Sequence, residues 1–324
     1  PKLKTQNESI ELKKNRNLKK FHNIVNSIVI LDEVQNVDPD YYLLIRDVFE
    51  ILAEKFNTYF LLMTATQPFI FREEKKVELV QPEKYQQHEI FNRTQVEIDI
   101  TESDVEIFKE SFLETFTGKN ALLVMNTRKA AVELFREVQK RFIDYKCYCL
   151  TNYLIPRDKE NKIKEIDDKI TTGERIIVVS TQLIEAGVDL SFEYVYRDLA
   201  PLDSIIQVAG RCNRSCEYGV LGGHMRLVDL GNTRIYNPVS ISLVHDLLFN
   251  KKCIESSDFD QLSKQYYQSL NITSKSKKIL QSIMNLNYDT AIEGQIPVSD
   301  FNLIDNNYQR NVYIFPSETD QKIM

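Results

Sequence analysis

The chain has 324 residues, of which 43% are hydrophobic and 10% aromatic, so its composition supports two or three domains with sizeable cores. Its net charge of −6 argues against nucleic-acid binding by the whole surface but allows a local basic groove. No stretch is apolar over the length of a bilayer span, no signal peptide is visible, and the five cysteines lack a disulfide framework, so we predict a cytoplasmic protein with no membrane partner.

Short apolar runs, each ending in small or polar residues, predict β-strands that are buried on both faces. They occupy residues 27–31, 59–63, 121–125, 176–179 and 194–196. Helical patterns lie between them, most clearly at 127–142, where Asn126 or Thr127 is placed to cap the start. Residues 73–92 have the polar composition of a linker, and 238–288 have a mainly helical pattern. The alternation predicts an α/β fold with a parallel sheet, in which ligands bind at the carboxyl ends of the strands.

An acidic pair, Asp32 and Glu33, follows the first predicted strand. A carboxylate in that position can hold Mg²⁺, mostly through water, and its neighbour can accept a proton from an attacking water. Alone, such a pair is often the start of a solvated loop. The hypothesis gains support from Thr64 and Thr66 at the end of the next strand, which are placed to hydrogen-bond the acidic loop and relay the state of a nucleotide. The alternative for both threonines is capping of the strand end.

Two further strands end in polar loops. Asn126, Thr127 and Arg128 follow the third strand and begin a helix, whose N–H groups suit a phosphate of a nucleic-acid backbone; the alternative is a plain helix cap. The fourth strand is followed by three polar residues and then by a tight loop that contains a glycine and a carboxylate able to accept a hydrogen bond from a ribose hydroxyl. The polar residues are Ser180, Thr181 and Gln182, and the loop contains Glu185, Gly187 and Asp189. Alone, either group is more often structural.

The helix that follows the fifth strand is predicted to begin at a cap formed by Asp203 or Ser204. Gln207, Arg211 and Arg214 then recur at spacings that place them on one helix face. Two guanidinium groups on that face suit the charge that develops on a transferring γ-phosphoryl group. The alternative is a salt-bridged surface stripe, but the preceding strand and Asp189 favour phosphate contact.

These blocks, in this order, resemble the motifs of superfamily-two helicases. The matching segments are 32–35 (DEVQ) to motif II, 64–66 (TAT) to motif III, 126–128 to motif IV, 180–189 to motif V and 207–214 (QVAGRCNR) to motif VI. The sequence STQLIEAGVDLSF, followed by LAPLDSIIQVAGRCNR, resembles more closely the helicase subunit of type I CRISPR interference. Members of that family unwind invading DNA and help to degrade it. The resemblance covers about 27–229 and the remainder more loosely.

The resemblance implies RecA-like lobes: 1–90 as the C-terminal half of a first lobe, 91–235 as a complete second lobe, and 236–324 as a mainly helical accessory segment. It implies ATP and Mg²⁺ in the cleft between lobes, and movement 3′ to 5′ along single-stranded DNA. It also implies work with an HD-type nuclease domain or subunit and with a crRNA-guided surveillance complex. The pair His245-Asp246 lacks the further ligands of a metal nuclease, so we place no nuclease centre in this chain.

The same resemblance implies a role for each motif residue. Asp32 would hold Mg²⁺ and Glu33 would act on the attacking water. Gln207 would order the nucleotide, and Arg211 and Arg214 would stabilise the phosphoryl transition state. Asp189 would couple nucleotide to DNA. The remaining positions would contact or couple to nucleic acid: Thr64, Thr66, Asn126, Thr127, Arg128, Ser180, Thr181 and Gln182.

One motif of the family is missing. No G-x-x-x-x-G-K-[ST] sequence occurs in residues 1–324, so we expect the phosphate-binding loop in a preceding segment and an exposed sheet edge where its strand pairs. We expect these residues alone not to hydrolyse ATP at a useful rate. Two alternatives stay open: another superfamily-two RNA or DNA helicase, and a non-catalytic nucleic-acid-binding scaffold with a degenerate helicase fold.

Overall fold

The computed structural model describes residues 20–64, 71–79, 91–101, 105–185, 187–270 and 274–301. The chain divides into two compact units. The first unit comprises Pro1–Lys76 and Asn271–Asp305, and the second comprises Val77–Leu270 and Asn306–Met324. Among the described residues, no helix combines the length and the apolar character that crossing a bilayer requires.

The first unit contains two parallel strands, β1 (Ile28–Asp32) and β2 (Tyr59–Met63), with Asp32 level with Met63 at their carboxyl ends. Helix α1 (Tyr42–Phe56) connects them. Helix α8 (Ser274–Met284), from the far end of the sequence, packs on α1. The two strands thus begin and end within one residue of the predicted apolar runs.

Only one face of this small sheet is covered. Phe49 of α1 stacks on Phe60 of β2 with ring centroids 4.1 Å apart. On the opposite face Ile28 is 71% exposed and Tyr59 65% exposed, because successive side chains of a strand point to opposite faces. The prediction that these two strands are buried on both faces is therefore wrong for the described part of the first unit.

The described part of the second unit is built on a seven-stranded sheet in the order β5-β6-β4-β7-β8-β3-β9. Its strands are β3 (Thr94–Asp99), β4 (Asn120–Val124), β5 (Lys146–Leu150), β6 (Ile176–Ser180), β7 (Tyr194–Asp198), β8 (Gly223–Val228) and β9 (Cys253–Glu255). All neighbouring pairs are parallel except β9 with β3. The predicted α/β fold with a mostly parallel sheet is confirmed.

Six helices accompany the described strands of this sheet: α2 (Val105–Thr115), α3 (Arg128–Arg141), α4 (Pro156–Thr171), α5 (Leu202–Ala209), α6 (Pro238–Leu248) and α7 (Phe259–Ser269). The central strands β4 and β6 are buried along their whole length. Helix α7 packs on α5, and α6 packs on α7. Within the described residues, 238–270 and 274–284 are mainly helical, as predicted for this part of the chain, whereas the division at residues 90 and 235 stays a prediction.

The register of the sheet brings four loops to one edge. Val124 is level with Ser180 on one side and Arg197 on the other, and Asp198 is level with Val228. The segments that follow β4, β6, β7 and β8 therefore leave the sheet side by side. This is the edge at which parallel α/β sheets bind ligands.

Candidate functional site

In the first unit, the acidic loop is tied to the end of β2. Asp32 is exposed, and its Oδ1 accepts a hydrogen bond from the N–H of Glu33 at 3.0 Å. The Gln35 amide donates to the Glu33 carboxylate, and the Thr64 hydroxyl donates to the Gln35 amide oxygen. The predicted hydrogen bond between Thr64 and this loop is present. Its relay role stays a prediction, and Thr66 lies outside the described residues.

Glu33 adopts a left-handed backbone conformation with φ of 53°. A non-glycine residue in that region is uncommon, and its strain of about 1–3 kcal/mol persists where the surroundings fix it. Here the bond from buried Gln35 fixes the carboxylate. The exposed Asp32 fits Mg²⁺, which keeps most of its waters and needs only one or two protein carboxylates.

In the second unit, the residues after β4 have three different tasks. Asn126 is 3% exposed, and its amide donates to the carbonyl of Leu199 at 2.7 Å. Thr127 caps α3 by accepting a hydrogen bond from the N–H of Ala130, so the capping alternative is present. Arg128 lies with its guanidinium 4.6 Å from the centre of the Tyr153 ring. The predicted contacts of these three residues with nucleic acid stay predictions.

The polar residues at the end of β6 and directly after it are buried or half-buried. Ser180 is fully buried, and its hydroxyl donates to the carbonyl of Leu150 at 3.0 Å. Thr181 is 2% exposed. Gln182 is half-buried and donates through its amide to the carbonyl of Asn126 and to the Tyr236 hydroxyl, both at 2.9 Å. The loop after β6 is therefore held against the loop after β4.

A buried arginine, which the sequence analysis did not select, joins these loops. Arg197 of β7 has no exposed side-chain surface. It donates to Asn126 Oδ1 at 2.6 Å, to the Ser204 hydroxyl at 2.8 Å and to the Tyr236 hydroxyl at 2.9 Å, and it forms an ion pair with Glu185 at 3.1 Å. The available signal was a charged pair, Arg197-Asp198, directly after the apolar residues YVY of the predicted strand.

Burial governs the electrostatics of the two acids around Arg197. The pKa of the Glu185 carboxyl is raised by burial, which outweighs the opposing effect of the Arg197 charge. Burial also raises the pKa of Asp198 to about 6, although that carboxyl accepts hydrogen bonds from the N–H groups of Leu230 and Asn126.

Helix α5 differs from the prediction at both ends. It begins at Leu202 behind Pro201, and neither Asp203 nor Ser204 caps it, because the Ser204 hydroxyl bonds Glu185 instead. It ends at Ala209, before Arg211 and Arg214. The predicted cap and the predicted single helix face for Gln207, Arg211 and Arg214 are therefore wrong.

A short extended bridge replaces the last turn of the predicted helix. Phe192 and Cys212 pair in parallel, with the N–H of Phe192 bonded to the carbonyl of Arg211 and the N–H of Asn213 bonded to the carbonyl of Phe192. Gly210 precedes the bridge as the C-cap of α5. Backbone pairing with a neighbouring segment thus overrides the local helical spacing.

The three predicted phosphate-contacting side chains consequently lie in different settings. Gln207 is half-buried, and its amide nitrogen has no hydrogen-bond partner in the described part of the chain. Arg211 is 8% exposed and donates to the carbonyls of Ile184 and Glu185 at 3.1 and 2.6 Å. Arg211 thereby braces the loop after β6 from within.

Arg214 is the more accessible of the two arginines. Its guanidinium is 2.5 Å from a carboxylate oxygen of Asp189, whose side chain is 84% exposed. Its backbone N–H is fixed by the hydroxyl of Ser191 at 2.9 Å. Arg214 and Asp189 form an ion pair at the surface, where a polyanionic ligand can reach the cation.

Comparison with known proteins finds a family model and several relatives that are similar to this chain. A family model for the C-terminal part of the CRISPR-associated nuclease/helicase Cas3 matches residues 117–217. The CRISPR-associated nuclease/helicase Cas3 of Haloferax volcanii is 52% identical over 75 residues, which are 23% of this chain and 8% of that protein. The protein of the same name from Methanothermobacter thermautotrophicus is 27% identical over 244 residues, 71% of this chain and 28% of that protein.

Comparison with a solved structure shows similarity outside residues 117–217 as well. The ATP complex of T. fusca Cas3 superposes with a TM-score of 0.60 at 16% identity, over 80% of this chain and 36% of that one. The RecA-like α/β fold predicted from the resemblance is therefore confirmed. This chain spans well under half the length of the relatives it matches. Residues 117–217 thus match the C-terminal region of the CRISPR-associated nuclease/helicase Cas3, and the chain is similar to proteins of that name over as much as 71% of its length.

Proposed function

We propose that the protein containing this chain is an ATP-driven translocase or helicase on single-stranded DNA in CRISPR antiviral defence. The proposal rests on the availability of two polar groups in the second unit. An accessible guanidinium, Arg214, is held in place by Asp189, and the buried Gln207 amide has no partner among the described residues. Both groups suit the oxygens of a nucleotide's phosphates and ribose.

The reaction proposed is attack of water on the γ-phosphorus of ATP, with loss of the bond to the β-phosphate oxygen. Glu33 accepts the proton of the attacking water, and its anchorage by Gln35 keeps the carboxylate in one orientation. Arg211 and Arg214 stabilise the transferring group, and Gln207 orients the nucleotide. Asp32 would hold Mg²⁺ through water, and the ion would supply positive charge to neutralise the phosphates.

The proposed partners follow from the family. Single-stranded DNA contacts the loops that hold Asn126–Arg128 and Ser180–Gln182, and Asp189 couples that contact to the nucleotide. The relatives are named nuclease/helicase and CRISPR-associated, which supports an HD-type nuclease, fused or separate, and a crRNA-guided surveillance complex as partners.

ATP hydrolysis by the intact protein tests the proposal. Steady-state turnover is measured with single-stranded DNA and with RNA as activators, for wild type, Glu33→Gln and the control Glu160→Gln. Glu160 pairs with Lys164 on the surface of α4, so its substitution leaves turnover unchanged. Glu33→Gln lowers kcat by about 10²-fold or more while ATP binding persists. Equal kcat in the two Gln variants refutes the assignment, and activation by RNA alone favours the alternative RNA helicase.

The 324-residue chain is assayed beside the intact protein. Since it contains no phosphate-loop sequence, we expect no useful turnover from it. Turnover near that of the intact protein, abolished by Glu33→Gln, contradicts this expectation. The scaffold alternative is favoured by the internal use of Arg211. It predicts DNA binding by the intact protein without any ATP hydrolysis.

A further inference from the structure

A pocket of about 440 Å³ opens in the second unit at the carboxyl ends of β7 and β8. The turn after β8 and the first two turns of α6 complete its wall. Its lining includes Asp229, Arg234, Tyr236, Ile241, Ser242 and His245. The volume falls within the range of roughly 300–1,000 Å³ that is usual for small-molecule sites. None of the helicase motifs identified from the sequence contributes these side chains.

The chemistry of the lining matches one nucleotide. The Arg234 guanidinium is exposed, and it has no hydrogen bond or ion pair within the described residues. His245 and the Ser242 hydroxyl share the pocket with it, so a phosphate can take several donors at once. The Tyr236 ring and Ile241 offer an apolar wall for a base, and the Asp229 carboxylate can accept from a base N–H group.

Tyr236 connects the pocket to the predicted nucleic-acid loops. Its hydroxyl accepts hydrogen bonds from Arg197 and Gln182, both at 2.9 Å, and donates to Asn126 Oδ1 at 3.1 Å. One wall of the pocket is thus bonded directly to the segments that follow β4 and β6. A strand of nucleic acid lying on those loops runs along the same edge of the sheet as the pocket mouth.

We propose that this pocket binds one nucleotide of the single-stranded DNA, with its phosphate on Arg234 and His245 and its base against Tyr236 and Ile241. The inference rests on the proposed function, to which it adds a DNA contact outside the helicase motifs. Filling the pocket fixes Tyr236, and through its hydroxyl it fixes the loops after β4 and β6.

Fluorescence anisotropy with a labelled oligothymidylate and the 324-residue chain tests the site. The first variant, Arg234→Ala, removes an exposed side chain that has no bond within the described residues. The second, Ser242→Glu, places a negative charge in the pocket at another exposed position. The matched control is Arg141→Ala, because Arg141 is an exposed arginine at the end of α3, away from the helix start that follows β4.

Both pocket variants are expected to raise Kd about five-fold or more, and Arg234→Ala is expected to lower the slope of log Kd against log salt by about one. Arg141→Ala is expected to leave Kd within about two-fold of wild type. Pocket variants that match the control overturn the pocket assignment while leaving DNA binding by the wild type intact. A wild-type chain that does not bind the oligonucleotide refutes DNA binding by this chain, and the pocket assignment with it.

A second arm separates the strand from a free nucleotide. Deoxythymidine and deoxyadenosine monophosphates are titrated into wild type and Arg234→Ala by calorimetry. For a strand site, oligonucleotide affinity falls in the variant. If Arg234→Ala abolishes binding of the monophosphates and leaves oligonucleotide affinity unchanged, the pocket serves a free nucleotide and the proposal is overturned.

Discussion

Replacing Arg197 by methionine is expected to destabilise the second unit strongly. Arg197→Met keeps the length and apolar character of the stem but removes the charge and the donors that reach Asn126, Ser204 and Tyr236. It leaves Glu185, whose side chain is only 13% exposed, without its cation. Breaking a buried ion pair by removing one partner costs about 3–5 kcal/mol. We expect a loss of unfolding free energy in that range at neutral pH.

The loss of unfolding free energy in Arg197→Met is expected to increase with pH. Burial already raises the pKa of Glu185 above its usual value of 4.5, and the Arg197 charge is the largest opposing influence. Without Arg197 the pKa rises further. An acid whose pKa is higher in the folded state contributes stability at low pH that is lost as the pH rises through that folded-state pKa. The difference between Arg197→Met and wild type is therefore larger at pH 8 than at pH 5.

Thiol labelling in urea measures this loss in the second unit alone. All five cysteines lie between residues 77 and 270, and Cys212 has no exposed surface, with a pKa raised by burial to about 12. Labelling of Cys212, followed by mass spectrometry, thus reports unfolding of this unit. Arg136→Ala, at an exposed site on α3, is the control. A loss below about 1 kcal/mol, or an equal loss at both pH values, refutes the reasoning.

The same assay tests two further substitutions. Gly223→Ala places a methyl carbon 2.6 Å from Asn213 Cβ, so we expect a loss of about 1–3 kcal/mol; a loss under about 0.5 kcal/mol contradicts the close packing. Asp198→Asn removes a carboxyl whose pKa burial raises from 3.8 to about 6. The contribution of this carboxyl to the free energy of unfolding is largest below pH 3.8 and is lost as the pH rises to 6. The free energy of unfolding of the wild type therefore falls relative to that of the variant between these two pH values. Parallel pH profiles for wild type and Asp198→Asn contradict the assignment.

Three of the seven described strands of the second unit, β4, β6 and β7, were predicted, because they lie at the centre of the sheet, whereas β3, β5, β8 and β9 were not. Strands covered on both faces become continuous apolar runs, and β4 and β6 start and end within one residue of the predicted segments. The segments that form β1 and β2 are as apolar as those of β4 and β6, yet Ile28 and Tyr59 are exposed. Which side of a strand is covered depends on segments packed from elsewhere, and a local apolar pattern holds no information about them.

The motif VI segment shows why the geometry of the candidate site could not be predicted from the sequence. Gln207, Arg211 and Arg214 have helical spacing, but spacing describes a face only while the helix continues. Gly210 ends α5, and the bridge between Phe192 and Cys212 supplies backbone hydrogen bonds that the helix does not. The pairing joins positions 20 residues apart in sequence, so no local propensity predicts it. The residues of the motif could be identified from the sequence, whereas the relative positions of their side chains could not.

Arg197 explains why the motif loops occupy fixed positions at the sheet edge. The loops after β4, β6 and β7 leave the sheet side by side, and their buried polar groups require partners there. One guanidinium bonds Asn126, Glu185 and Ser204, which come from three different segments. Since each of these bonds fixes a loop relative to the same group, a displacement of one loop strains the other two. The positions of the exposed groups on these loops therefore depend on a side chain that itself contacts no solvent.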